Sequence, residues 1–218
     1  EYGKHYKIPL EKIKVMPNWI NISNLPARGW SVLGEKYQKF QPETGPPWTE
    51  NIKNQKIILF VHRLSKRKGA HYLPEIIKNL KDENAFFMII GDGPEQENLK
   101  SQISNLKNVR LLGALPNEDI YKYYALADVF IMPSEEEGFP RVLLEAMAME
   151  VPFIAFDVGG VKEIIPPEFL PYVVEAGAIE NFSLKTKELL NLPEQELKRL
   201  KSAEKEWAKK YDMPKVID

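Results

Sequence analysis

From residue 56 onward, short apolar runs alternate with segments whose apolar positions recur every three or four residues. The runs at 56–61, 85–90, 109–112, 129–132, 153–156 and 172–174 are apolar on successive residues. That is the mark of strands buried on both faces. Between them, Leu73, Ile76, Ile77 and Leu80 share one helical face, as do Leu99 and Ile103, and helices are predicted at 72–80, from 95, at 118–127 and at 142–149. Strand and helix in strict alternation predict an α/β fold with a doubly wound parallel sheet of about six strands. Ligands of such sheets lie at the carboxyl ends of the strands. A last helix is expected over 194–211, with Leu197, Leu200, Ala203 and Trp207 on one stripe, acidic residues early and Lys209 and Lys210 late. Ahead of the alternation, Ile13 and Val15 followed by Pro17-Asn18 predict a short strand leaving into a turn. Residues 27–54 show no sustained period; Pro42, Gly45, Pro46 and Pro47 break them, and Trp30, Tyr37, Phe40 and Trp48 predict a long loop packed on a surface.

The most chemically loaded stretch is Ser134 to Glu150. It begins as a polar turn after an apolar run and becomes an apolar helix former with no breaker after Pro140. Proline lacks an amide hydrogen and suits a first helical turn, so the helix should start there. Glu137 and Glu145 bracket that start, eight positions apart. If the helix reached back to Glu137, the two carboxylates would stand about two turns apart and could face one cleft. Between them the amides of Arg141 and Val142 would be first-turn donors at the positive end of the helix dipole, which predicts a bound anion, a phosphate above all. A second candidate follows the first strand: His62-Arg63-Leu-Ser-Lys66-Arg67-Lys68-Gly69 holds four Arg and Lys residues within six positions. Such a run is commonly a solvated loop, but a loop after a parallel strand lies on the ligand face. Gly91-Asp-Gly-Pro94 fails as a dinucleotide fingerprint because Gln96 stands at the third glycine, leaving a tight strand-to-helix turn. Asn117, in the turn after the third strand, is a candidate helix cap and a candidate ligand contact, and the two roles are compatible.

Composition narrows the classes. The 218 residues suffice for one substantial core. A net charge of −1 and a pI near 6.4 give no broad footprint for nucleic acid. There is no cysteine, which excludes disulfides, thiolate metal sites and a cysteine nucleophile. His5, His62 and His71 are scattered, without partners at metal-ligand spacing, and are expected to be structural or surface residues. Glu135 to Glu137 could hold a metal; the basic loop opposite makes that unnecessary, and Glu135 and Glu136 are expected to be solvated. The chain starts at Glu1 without Met or a signal pattern, as a fragment or a processed chain would.

The string Glu137-Gly-Phe-Pro-Arg-Val-Leu-Leu-Glu145-Ala-Met-Ala, then Val151-Pro-Phe-Ile-Ala and Asp157-Val-Gly-Gly-Val-Lys-Glu-Ile-Ile165, closely resembles the donor-binding domain of retaining glycosyltransferases of family 4, which have the two-domain GT-B architecture. The resemblance runs from about Ile13 to the C-terminus. It implies a Rossmann-like nucleotide-sugar-binding domain at 55–190, preceded by a hinge strand at 1–26 and an insertion at 27–54. A C-terminal helix at 191–218 would cross back to a further, N-terminal domain carrying the acceptor site. Arg63 and Lys68 match the Gly-Arg-Leu…Lys-Gly element that holds the donor diphosphate, as do Arg141 and Val142 at the helix start. Glu137, with Gly138 and Phe139, would hold the transferred sugar, Glu145 the ribose hydroxyls, and Leu115 and Asn117 the base. By that resemblance Arg63, Lys68 and Glu137 are the catalytic residues. No cofactor or metal is implied beyond a UDP- or GDP-sugar donor. The acceptor would be a glycan, lipid or small molecule, and the expected location is the cytoplasm, with membrane association only through the further domain. Three departures stand out: Trp19, His62 and Glu150 occupy positions where the family usually has Gly. A nucleotide-sugar epimerase on the same scaffold and a degenerate, non-catalytic nucleotide-binding module are the alternatives.

Overall fold

A computed structural model describes residue 52 and residues 54–212. The expected hinge at 1–26, with Trp19, and nearly all of the 27–54 stretch lie outside the described residues. Six strands form one all-parallel sheet: β1 (Lys56–Val61), β2 (Ala85–Ile90), β3 (Val109–Gly113), β4 (Val129–Met132), β5 (Phe153–Phe156) and β6 (Val173–Val174), in the order β3-β2-β1-β4-β5-β6. β1 and β2 pair along their whole lengths, from Lys56 opposite Ala85 to Val61 opposite Ile90. Helices flank the sheet, so every residue of β2, β4 and β5 is buried. The core is dominated by phenylalanine: Phe60, Phe86, Phe87, Phe130, Phe153, Phe156, Phe169 and Phe182 are almost wholly withdrawn from solvent.

The helices are α1 (Leu73–Asn79), α2 (Gln96–Ile103), α3 (Asn117–Leu126), α4 (Arg141–Ala148), the single turn α5 (Val161–Ile164), α6 (Ile179–Leu190) and α7 (Glu194–Ala208). Helix α1 packs on α6, and α4 on α7. Each expected strand and helix in 56–211 is present, with ends moved by a residue or two. The last helix stops earlier than its stripe suggests: α7 ends at Ala208 and a 3₁₀ turn, Lys209–Tyr211, follows. Its inward seam runs through Leu200, Glu204 and Ala208, with Leu197, Ala203 and Trp207 beside it. At α3 the cap position belongs to Pro116, with Asn117 as the first helical residue and no side-chain cap bond, so Asn117 does not cap the helix.

The order of strands decides where a ligand can sit. The chain runs outward from β1 to β2 to β3, then returns through α3 to lay β4 on the other side of β1. The loops leaving β1 and β4 therefore lie side by side at the topological switch point, where ligands of such sheets bind.

Candidate functional site

The two loops at the switch point are the basic loop after β1 and the acidic loop after β4. The basic loop is tied down at both ends. Leu64 donates its amide to Asp92 O at 2.6 Å, and Glu95 donates to Leu64 O at 2.9 Å, so the turn after β2 braces it. At its far end a 3₁₀ turn (Lys66–Lys68) closes on Gly69, whose φ is +74°. A Cβ there would fall 1.8 Å from Pro133 O, so only glycine lets the loop lie against the end of β4. Glu135 then donates its amide to Arg67 O at 3.0 Å, joining the two loops by their backbones.

Glu137 is the point where they converge. Lys68 Nζ lies 2.8 Å from its Oε2 and also donates to Glu136 O at 3.1 Å. His62 Nε2 lies 3.0 Å from its Oε1. The ring's other nitrogen, Nδ1, accepts the amide of Arg63 at 2.9 Å, which leaves the proton on Nε2 and makes His62 a donor to Glu137. The side chains are 6 % (Glu137), 12 % (Lys68) and 19 % (His62) exposed. Burial alone would raise the Glu137 carboxyl, but the bonds from His62 and Lys68 outweigh it and hold it at about 2. The buried Ser134 hydroxyl faces the same carboxylate and adds to this stabilisation without forming a well-aligned hydrogen bond. From behind, the turn after β5 supports the loop. Gly159 has φ +50° and a Cβ there would lie 1.6 Å from Glu137 O, while Gly160 donates to Gly138 O at 3.2 Å.

Helix α4 starts at Arg141, so it does not extend back to Glu137; the loop, not helical spacing, positions that carboxylate. Leu143 makes the first bond back, to Pro140 O at 3.1 Å, and the amides of Arg141 and Val142 stand ahead of it at the helix start. Glu145 lies further along α4, half-buried. Desolvation raises its carboxyl above the ordinary range, against the opposing pull of Arg141 and of the Tyr124 hydroxyl. That hydroxyl belongs to a fully buried ring on α3 and reaches Val142 O at 3.2 Å and Glu145 Oε2 at 3.3 Å.

The remaining sequence candidates divide. Arg63 is exposed, and among the described residues its side chain makes no hydrogen bond or ion pair. Phe139 is half-buried, edge-on to Tyr211 with ring centres 5.7 Å apart. Leu115 packs partly against the core and Asn117 is exposed at the edge of the sheet after β3, and no hydrogen bond joins either to the Glu137 cluster. Glu135 and Glu136, expected to be solvated, are exposed but lean on the basic loop: Tyr72 donates to Glu135 Oε1 at 2.7 Å, and Arg67 stands 3.7 Å from Glu136. His62, expected to be structural or a surface residue, is bonded to Glu137, the carboxylate on which the two loops meet. Its signals in sequence were its place in the basic loop and its standing where the family usually has Gly. Among the described residues no group of three or more His, Asp or Glu is placed to hold a metal ion, and no helix is long and apolar enough to cross a membrane.

A six-stranded parallel sheet with a basic loop and a helix start meeting at its switch point has the Rossmann-like fold of GT-B glycosyltransferases, and solved structures agree on that fold. A glycosyltransferase from Rickettsia africae matches with a TM-score of 0.79 at 23 % identity, over 97 % of this chain and 56 % of that one. The Anabaena protein HepE, solved with UDP-glucose, matches with a TM-score of 0.76 at 22 % identity, over 95 % of this chain and 56 % of that one. The chain belongs to the family Glycosyl transferases group 1, whose sequence profile matches residues 47–207. Curated relatives include a teichuronic acid biosynthesis glycosyltransferase, TuaC, from Bacillus subtilis, 38 % identical over 51 % of this chain and 27 % of its own length. A glycosyltransferase of Methanocaldococcus jannaschii, MJ1607, is 34 % identical over 75 % of this chain and 41 % of its own length. The sulfoquinovosyl transferase SQD2 of Arabidopsis thaliana is 31 % identical over 72 % and 30 %. The chain thus spans well under half the length of these relatives.

Proposed function

We propose that this chain is the nucleotide-sugar-binding half of a retaining glycosyltransferase. The observation that carries the reading is the meeting of the basic loop after β1 with Glu137 and the α4 start at the switch point. In this reading Arg63 and the first-turn amides of Arg141 and Val142 hold the donor diphosphate, with Lys68 drawn to the same oxygens. Arg offers a planar fork to phosphate and Lys a compact charge. Neutralising the diphosphate as it departs stabilises the transition state for breaking the bond to the anomeric carbon. Glu137, with Gly138 and Phe139, accepts hydroxyls of the transferred sugar, and Glu145 accepts the ribose hydroxyls. A carboxylate suits a vicinal diol because it can take two donors. Leu115 and Asn117 meet the base. The donor class is a UDP- or GDP-sugar, and the structural relative solved with UDP-glucose favours uridine. Transfer occurs with retention, by attack on the face the leaving group vacates, and the acceptor site lies in sequence beyond the matched domain. No metal is required, because the basic loop supplies the charge.

Calorimetric titration with UDP, GDP and ADP, with and without EDTA, tests this reading. The expected result is binding of one nucleotide that survives EDTA and falls at least tenfold in Arg63→Ala. Absence of nucleotide binding in the full-length protein, or binding that Arg63→Ala leaves untouched, overturns it.

A further inference from the structure

Lys68 has two claims on it. In this structure its ammonium is bonded to Glu137 Oε2 and Glu136 O, whereas the proposed function asks it to serve the donor diphosphate. A departing Lys68 would strip a largely buried carboxylate of its cationic partner, which is costly unless another donor remains. That donor is His62. It sits on the far side of the carboxylate, on Oε1, with its tautomer set by the Arg63 amide at Nδ1. It reaches Glu137 across 75 residues of sequence from the position directly after β1.

We propose that His62 is a positioning residue for donor-sugar recognition: it holds Glu137 by one oxygen so that the other is released to a sugar hydroxyl when Lys68 moves to the diphosphate. The inference rests on the donor-site reading above and adds to it a residue that does not itself touch the donor. A bare nucleotide is held by Arg63 and the α4 amides with Lys68 still on Glu137, and Lys68 crosses to the diphosphate only when a sugar hydroxyl takes its place; His62 then governs the extra affinity a nucleotide-sugar has over its bare nucleotide, and leaves the nucleotide's own affinity nearly unchanged. The carboxylate gains its sugar contact as it loses the lysine, so its count of donors is conserved through binding.

Two variants separate this role from a structural one. His62→Asn retains an acceptor near the place of Nδ1, for the Arg63 amide, but is too short to reach Glu137. His62→Gln retains a nitrogen donor near the place of Nε2 and gives up the exposed bond to Arg63. Titrations of the full-length protein with UDP, UDP-glucose, GDP, GDP-mannose, ADP and ADP-glucose give the preference for sugar over bare nucleotide. His62→Asn is expected to lower that preference about tenfold, the value of one hydrogen bond to a charged group, with the bare nucleotide within about twofold of wild type. His62→Gln is expected to restore most of it. Equal losses for nucleotide and nucleotide-sugar in both variants, or an unchanged preference in His62→Asn, overturn the role of His62 while leaving the donor site standing. A wild type that binds none of the six ligands overturns both.

Discussion

Two carboxylates of one site are pushed in opposite directions by their neighbours. Glu137 is surrounded by donors and sits at about 2, while Glu145 is withdrawn from water and lies above its ordinary 4.5. Glu137 binds its proton less readily folded than unfolded, so its stabilising contribution is complete above 4.5 and is lost as pH falls toward about 2. Glu145 binds its proton more readily folded, so the folded state is favoured while Glu145 is protonated and loses that advantage as pH rises through its raised value. Glu145→Gln should therefore raise the melting temperature at pH 7 and, with Glu145 accepting the ribose as proposed, weaken nucleotide binding about tenfold. Calorimetry of the same variant by heating and by titration checks both halves. A nucleotide-sugar's diphosphate is a diester and does not titrate in the mildly acid range, so its affinity should fall on acidification as Glu145 protonates. That acid limb should be absent in Glu145→Gln.

At the scale of elements, helix α4 depends on two unusual ends. Its start is set by Pro140 and supported from behind by the Gly159-Gly160 turn, which only residues without a Cβ can make. Gly159→Ala should cost about 3 kcal/mol or more in urea unfolding, because the new methyl meets a backbone oxygen and not a side chain that can swing away. Its end is Glu150, the one described non-glycine residue with positive φ, at 54°. Glycine would adopt that conformation without strain, whereas Glu150 offsets part of it through Lys205 on α7, 2.9 Å away. Relief of strain outweighs one solvent-accessible ion pair, so Glu150→Gly should gain up to about 1 kcal/mol in the same unfolding experiment. The boundaries of these elements were legible in the sequence because Pro140 and the apolar runs act locally. The buried place of Glu204 on α7 was not, because a polar residue on an otherwise apolar stripe gives no sign of which neighbours will cover it.

At the scale of the whole molecule, the strand order brings β1 and β4 side by side although β2 and β3 intervene in sequence. The candidate site is therefore shared by segments that are distant in sequence and adjacent only in the folded sheet. Donor binding should slow hydrogen exchange together in residues 63–69 and 137–143, with residues 82–84, at the opposite end of the strands, unchanged. Exchange measured with and without saturating nucleotide-sugar checks this, and protection confined to one loop would contradict a shared site. A ligand that bridges two such loops ties them together and stabilises the fold by linkage.

Sequence by itself determined the alternation of strand and helix, the end of the sheet where a ligand is expected and the residue types available there. Each of these follows from local periodicity, from turn chemistry or from the general rule for parallel sheets. Tertiary structure alone decided that His62 and Lys68 take the two oxygens of Glu137, that Tyr124 on α3 reaches Glu145, and that the glycines after β5 brace the loop after β4. These contacts join residues from 21 to 75 positions apart, and hydrogen bonds set by ångström distances between distant parts of a chain leave no period in its sequence.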